Sequence, residues 1–344
     1  LSGLKTDSKV ILAGSQDNGH HYKTDNSGIF DWKLTCCDGM DNAIEQTNPG
    51  IMYGFTQNGQ INKSVDGGAS FTWIPPTIMS PNEPWVTPIL IHTTTPATIF
   101  YGSVNGVLRH ASRGEPTNAW TNIGGFGTGG MIMGTNNPDR FYGIASRTVY
   151  RSNNINAAVP TWTNITDLHL LLPSGLLLTS IEINPDNDQE VWVTVSGYED
   201  GFKVFRSLTG GTGNDWTNMS AGLPNIPVNV IKFQDTNGSP SGAVYVGTDI
   251  GIYYRNDIIG NWVFFSDGLP YVSVEDIEIN EVSSVITIAT SGRGIWKSSL
   301  YSPTCLSDIN IGSPLTGIHY KQAANTITMN NDIYGGANTR VMLK

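Results

Sequence analysis

The sequence predicts an all-β fold, a β-propeller of about seven blades with a small incomplete β module behind it, and three observations carry that expectation. One unit recurs seven times between residues 10 and 298: an apolar strand, a Gly-rich tip, a second strand ending in a basic residue plus Ser, Thr or Asn, then a closing Trp. The spacing of the unit fits a four-stranded blade, which takes roughly 40–50 residues. Charged residues make up only 14% of the chain, which holds 39 glycines, a composition suited to short strands and tight turns and one that leaves helices nearly absent.

In order along the chain, the paired strands are residues 10–14 with 21–24, 51–54 with 60–64, 99–102 with 107–110, 140–143 with 149–152, 191–194 with 204–207, 244–247 with 252–256, and 285–288 with 295–298. The first six copies are read as closing on Trp32, Trp73, Trp120, Trp162, Trp216 and Trp262, which lie 41, 47, 42, 54 and 46 residues apart. A further β-rich segment ending in Asn-Pro precedes several hairpins, as at 43–49 and 180–185, and its turn chemistry marks it as the innermost strand. Each blade is then strand A innermost, strands B and C the hairpin, and strand D outermost with the Trp. Because successive strands alternate direction, C–D turns fall on one face of the ring, and B–C tips and D–A loops fall together on the other.

The seventh copy has no Trp after Lys297 and Ser298. A ring must protect its last sheet edge, so a strand upstream of residue 1 is expected to close the propeller, assigned to residues 1–300. The period stops at Cys305, and residues 317–333 read as short alternating strands. Residues 301–344 are therefore expected to begin a C-terminal strand-stack module that continues past Lys344.

Composition excludes several classes. The longest apolar stretch, 168–183, is broken by His169, Pro173, Ser174 and Gly175, so no membrane span is expected. A net charge of −10 and a pI near 4.9, with no cluster of Lys and Arg, disfavour a nucleic-acid partner. Cys36, Cys37 and Cys305 match no zinc spacing, and their disulfide status stays open. The six histidines form no metal cluster, and no calcium-loop spacing is present, so neither a metal nor a cofactor is expected. The sequons beginning at Asn164 and Asn218 read as ordinary Asn-rich loops.

Ser64, Asp66, Gly68, Ser70 and Phe71 fit the Asp-box pattern S-x-D-x-G-x-[ST]-[WF], with degenerate versions at 24–28 and 207–211. With 13–19, 37–39, 247–249, 267–270 and 290–296, these residues make the chain resemble the exported BNR-repeat, sortilin-like propeller proteins of Bacteroidetes, related in pattern to xyloglucan-hydrolase and sialidase-like propellers. The resemblance implies a secreted or cell-surface protein, and a tail like the modules that precede type IX secretion sorting signals. In that family a Gly-Gly-Asp-Gly segment precedes strand A; here Cys36 and Cys37 stand in place of both glycines.

The Asp-box residues read as structural, because the Ser and Asp oxygens can satisfy turn N–H groups while the aromatic packs between sheets. Arg109, Arg151, Arg206 and Arg255 recur beside these turns and read the same way, so the converging arginines of a sialidase are not in evidence. Ligand candidates therefore belong to the opposite face: Gln16, Asp17, Asn18, Asp38, Asp249 and Arg293, with Gln57, Asn58, Asn105, Asp41 and the 198–200 tip completing a polar, mostly acidic rim. Asp17 and Asp38 flank one blade, and a carboxylate pair is what glycoside hydrolysis requires. Asp17, like Asp249, also suits an ordinary hairpin turn, and Arg293 between two glycines suits a blade-closing turn. Two functions follow: a recognition or scaffold propeller that binds a polysaccharide or an extracellular protein on this face, or a glycoside hydrolase of the tandem-propeller kind in which this chain holds half the cleft.

Overall fold

The computed structural model describes residues 1–23, 37–127, 129–167, 172–235 and 242–302 in full, and the backbone alone of 31–34, 306–311 and 323–329. The chain divides into two compact units, Leu1–Leu300 and Tyr301–Lys344. In the second, strands Leu306–Ile311 and Ala323–Met329 pair in parallel.

The first unit is a seven-bladed propeller. Its strands form seven antiparallel sheets, and in blades 1 to 6 the order is A-B-C-D, each strand beside its sequence neighbour. The A strands are Ser2–Leu4, Gly39–Ile44, Ile89–Ile91, Met131–Met133, Leu178–Asn184, Val228–Phe233 and Val274–Asn280. Each touches the next, and Ser2–Leu4 touches Val274–Asn280, so the seven close a ring around a central channel. The only helix among the described residues is the 3-10 turn Thr117–Ala119.

Hydrophobic packing lies between blades. Tyr53, Phe55 and Ile61 of blade 2 meet Tyr101 and Leu108 of blade 3; Tyr142 and Val149 of blade 4 meet Ile181, Val193 and Phe205 of blade 5. Every such side chain removed from water contributes about 1.5–3 kcal/mol. At the recurrent glycine of strand B a neighbour comes too close for a side chain: a Cβ on Gly143 would lie 1.7 Å from the Phe126 ring.

The closing aromatic is the residue immediately before strand D. For Thr121–Asn122, Thr163–Asn164, Thr217–Asn218 and Val263–Phe264 it is Trp120, Trp162, Trp216 and Trp262, as the sequence indicates. In blade 2, strand D is Thr72–Trp73, so Phe71 holds the closing position, packed on Leu12, Ile44 and Met52, while Trp73 is 58% exposed. Trp32 is likewise the second residue of its strand, Asp31–Leu34. Residues i and i+2 share a strand face, so spacing alone cannot separate the two aromatic positions.

Blade 7 has strands A, B and C only, and no fourth strand pairs with Gly294–Ser299 among the described residues. That strand is largely exposed, with Trp296 at 39%, and is the outermost strand of blade 7 among the described residues.

Candidate functional site

The C–D face is built to hold itself together. In blade 2 the Gly68 amide donates to Ser64 Oγ at 2.9 Å, the Ser70 amide to Asp66 Oδ1 at 2.9 Å, and the Ser70 hydroxyl to Asp66 Oδ2 at 2.6 Å. These bonds, that from the Ser70 hydroxyl first, lower the Asp66 pKa to about 2. Other blades keep the geometry and change the atoms. His110 Nδ1 accepts the Gly114 amide in blade 3, and in blade 5 Ser207 Oγ accepts the Gly211 amide while Asp215, after the turn, replaces the missing carboxylate. The degenerate motif at 24–28 lies outside the described residues.

The recurrent cations reach across to the next blade. Arg109 donates to the Ile155 and Ala157 carbonyls, Arg151 to the Gly210 carbonyl and Thr212, and Arg206 to Asp257. Lys63 takes this place in blade 2, bonded to Glu115. Arg255 does not share the position. Tyr254 pairs with strand D there, at Val263, and Arg255, one residue on, faces the Trp262 ring at 5.9 Å.

On the opposite face the named candidates separate into two groups. Gln16, Asp17 and Asn18 are exposed at the tip of blade 1, and Asp17 has φ 62°. Its backbone N–H donates to Asp38 Oδ1 at 2.7 Å, and the Asp38 amide donates to Gln57 Oε1 at 3.0 Å. Asp38 is buried, so its carboxylate holds a turn between blades. Asp41 is similarly engaged, accepting the Ile89 amide at 3.0 Å, and burial raises its pKa. Cys37 is disulfide-bonded and has φ 74°, the left-handed region in which the related pattern places a glycine; Cys36 and Cys305 lie outside the described residues. Arg293 is exposed, and its carbonyl accepts the Trp296 indole at 2.9 Å.

The second group is the stronger site. Asp249, at the tip of blade 6, accepts from Tyr198 Oη at 3.3 Å, Asn229 Nδ2 at 3.1 Å and Ser273 Oγ at 3.3 Å. These partners come from blade 5, strand A of blade 6 and the loop entering blade 7, so one carboxylate joins three blades. Asn229 sits in a bulge of strand A, between Val228 and Val230, which re-aims its side chain. Tyr198 is 67% exposed, and Tyr271, two residues before Ser273, is 81% exposed. The Tyr271 ring lies 6.4 Å from Phe264, itself 5.1 Å from Tyr253. A fixed acceptor bonded to one open aromatic ring, with a second on the loop that carries Ser273, can receive hydroxyl donors while the rings cover apolar C–H faces.

Sequence reading named Asp249 and the 198–200 tip but missed Asn229, Ser273 and Tyr271. The bulge has no sequence signal of its own. Tyr271, directly after Pro270, is a large aromatic in a turn segment and could have been noticed.

No family model and no curated protein matches the chain. Solved structures share its fold. A GH74 xyloglucanase from Xanthomonas campestris aligns with a TM-score of 0.65 and 13% identity over 87% of this chain and 51% of that one. YCF48 bound to D1 peptide aligns with a TM-score of 0.61 and 12% identity over 88% and 93%. A GH74 enzyme from Niastella koreensis gives 0.51 and 15% over 87% and 63%. At these identities the likeness is one of fold alone. The chain spans about half the length of the Xanthomonas xyloglucanase.

Proposed function

We propose that this chain is a recognition propeller of a secreted or cell-surface protein, and that it binds a neutral polysaccharide on the face opposite the C–D turns. One observation carries the reading: Asp249 is locked by Asn229 and Ser273 and bonded to the exposed Tyr198, and the exposed Tyr271 stands on the loop that supplies Ser273. Sugars present apolar ring faces and outward hydroxyls, which match aromatic platforms and a fixed carboxylate. The net charge of −10 favours an uncharged ligand over an anionic one. The same fold serves GH74 enzymes and a peptide-bound protein, so a protein partner is the rival recognition reading.

Hydrolysis fits the residues less well. Asp38 is buried and its Oδ1 receives the Asp17 amide, which leaves no open carboxylate pair at blade 1. The test is affinity electrophoresis in soluble xyloglucan and in mixed-linkage β-glucan, with reducing-sugar release measured in parallel. Tyr271→Ala and Asp249→Asn are each expected to weaken retention about tenfold, the ordinary cost of removing one anchor, with no sugar released. Retention unchanged in both variants refutes the site; release of sugar that is lost in Asp38→Asn favours the hydrolase.

A further inference from the structure

We infer that Trp85 is a second sugar-binding subsite on the same face, on the other side of the channel mouth from Tyr271. The inference rests on the polysaccharide reading above and adds the length and valency of the ligand. Trp85 lies in the loop joining strand D of blade 2 to strand A of blade 3, flanked by Pro84 and Pro88, and is 49% exposed. Exposure alone is unremarkable for an apolar residue. The manner in which this one is mounted sets it apart.

The loop is braced from beneath by a buried carboxylate. Glu83, 4% exposed, accepts the Ser80 amide at 2.8 Å, the Ser103 hydroxyl at 2.7 Å and the Val104 amide at 3.0 Å. Thr87 Oγ1 donates to the Pro84 carbonyl at 3.2 Å, and the Trp85 carbonyl accepts the Asn58 amide at 3.4 Å. About half of the Trp85 residue faces water, and the backbone on either side is fixed by partners in blades 2 and 3. A large aromatic held rigid in water loses little further freedom on binding, which is the property of an interface anchor. Gln57 and Asn58, at the adjoining tip, supply amide groups for hydroxyls.

The ring order places Trp85 at the junction of blades 2 and 3, whereas Tyr198, Asp249 and Tyr271 belong to blades 5 to 7. Blade 4 separates the two on one side and blade 1 on the other. A linear chain that reached both would cross the channel mouth, and its second contact would form at the raised effective concentration of a tethered ligand. A protein partner could also use an exposed Trp, but polar groups beside each aromatic, the Gln57 and Asn58 amides at one end and Asp249 at the other, favour a repeating ligand that offers a ring and hydroxyls at each end.

The experiment uses the full chain and two probes, a short xyloglucan oligosaccharide and the polymer, with wild type, Trp85→Ala, Tyr271→Ala and the double variant. Calorimetry with the oligosaccharide should count two sites in wild type, one in either single variant and none in the double. Retention in the polymer should fall about tenfold in each single variant and vanish in the double. Trp85→Phe, which keeps a platform, should restore the second site and excludes local misfolding as the cause. One oligosaccharide site, lost in Tyr271→Ala and unmoved by Trp85→Ala, overturns this inference and leaves the polysaccharide reading standing. Sites insensitive to both substitutions, or no binding of either probe, overturn both.

Discussion

At the scale of single residues, the C–D turns show one geometry solved with different atoms. Ser64 Oγ, His110 Nδ1 and Ser207 Oγ each accept the amide four residues ahead, and the carboxylate arrives from Asp66 before the tip or from Asp215 after it. The sequence therefore shows the full pattern where the acid precedes the tip and only a degenerate one, at 207–211, where the acid follows. For Asp66, the Ser70 hydroxyl is the leading cause of a pKa lowered to about 2. Ser70→Ala should move that value upward, toward the ordinary carboxylate range near 4. Carbon-detected NMR of the Asp66 carboxyl between pH 3 and 5 will show a titration step in the variant that wild type lacks; identical curves would mean the hydroxyl does not hold the charge. The carboxylate of the proposed site obeys different logic. Asp249 and Asp17 both occupy hairpin tips, and the partners that gather on Asp249, Asn229 from a bulge of its own blade and Tyr198 and Ser273 from the neighbouring ones, distinguish them. That information is tertiary, which is why the sequence puts both residues on the same face without ranking them.

At the scale of elements, consecutive blades are linked by a repeated bond that the sequence shows only in part. Trp162 Nε1 donates to the Ile123 carbonyl at 2.9 Å, Trp216 to Ile165 at 2.9 Å and Trp262 to Met219 at 2.7 Å. In each case the acceptor lies three residues after the preceding blade's closing Trp. The periodic Trp was legible because a large aromatic at a fixed period stands out. Its acceptor is a backbone carbonyl and leaves no trace in side-chain identity. Trp216→Phe keeps most of the packing and removes one of the two donors to the Ile165 carbonyl, which still accepts the Asp167 amide at 3.2 Å, so it should cost about 0.5–1.5 kcal/mol. Trp216→Ala also opens a cavity and should cost about 3–5 kcal/mol. Urea unfolding of the two variants checks the order, and equal losses would assign the whole effect to packing. The same argument explains the open edge of blade 7. The repeat unit ends at Lys297, whose ammonium bonds to the Ser8 carbonyl of blade 1, so the blade is tied into the ring through strand C although strand D is absent among the described residues.

At the scale of the whole molecule, the ring confronts charges at one radius. Glu182, Lys232 and Glu278 occupy matching positions on the A strands of blades 5, 6 and 7, opposite Trp192, Tyr245 and Thr287. Lys232 Nζ lies 3.7 Å from Glu182 Oε2. Burial raises the pKa of both glutamates, Lys232 lowers each, and the Lys232 pKa is raised chiefly by Glu278. No single blade reveals this arrangement, because strand A alternates in every blade and the match appears only once the ring is closed. Lys232→Met removes the cation shared by two carboxylates. In this partly solvated channel the loss at pH 7.5 should be about 2 kcal/mol, less than the cost of breaking a fully buried pair. Carboxyls whose folded pKa lies above the unfolded value contribute stability that is present below the unfolded pKa and is lost as pH rises through the folded one. Without Lys232 both folded values rise further, so the deficit should narrow as pH falls from 7.5 to 5. His20 acts in the opposite sense on both proteins: buried beside Gly54, its pKa is lowered from 6.5 to about 4, so its contribution is complete above 6.5 and declines as pH falls toward 4. Because His20 is common to both, the difference between variant and wild type isolates the channel. Urea unfolding of the pair at pH 5 and 7.5 measures it, and a deficit that stays constant or grows on acidification would show that Lys232 does not hold the two glutamates in their charged form.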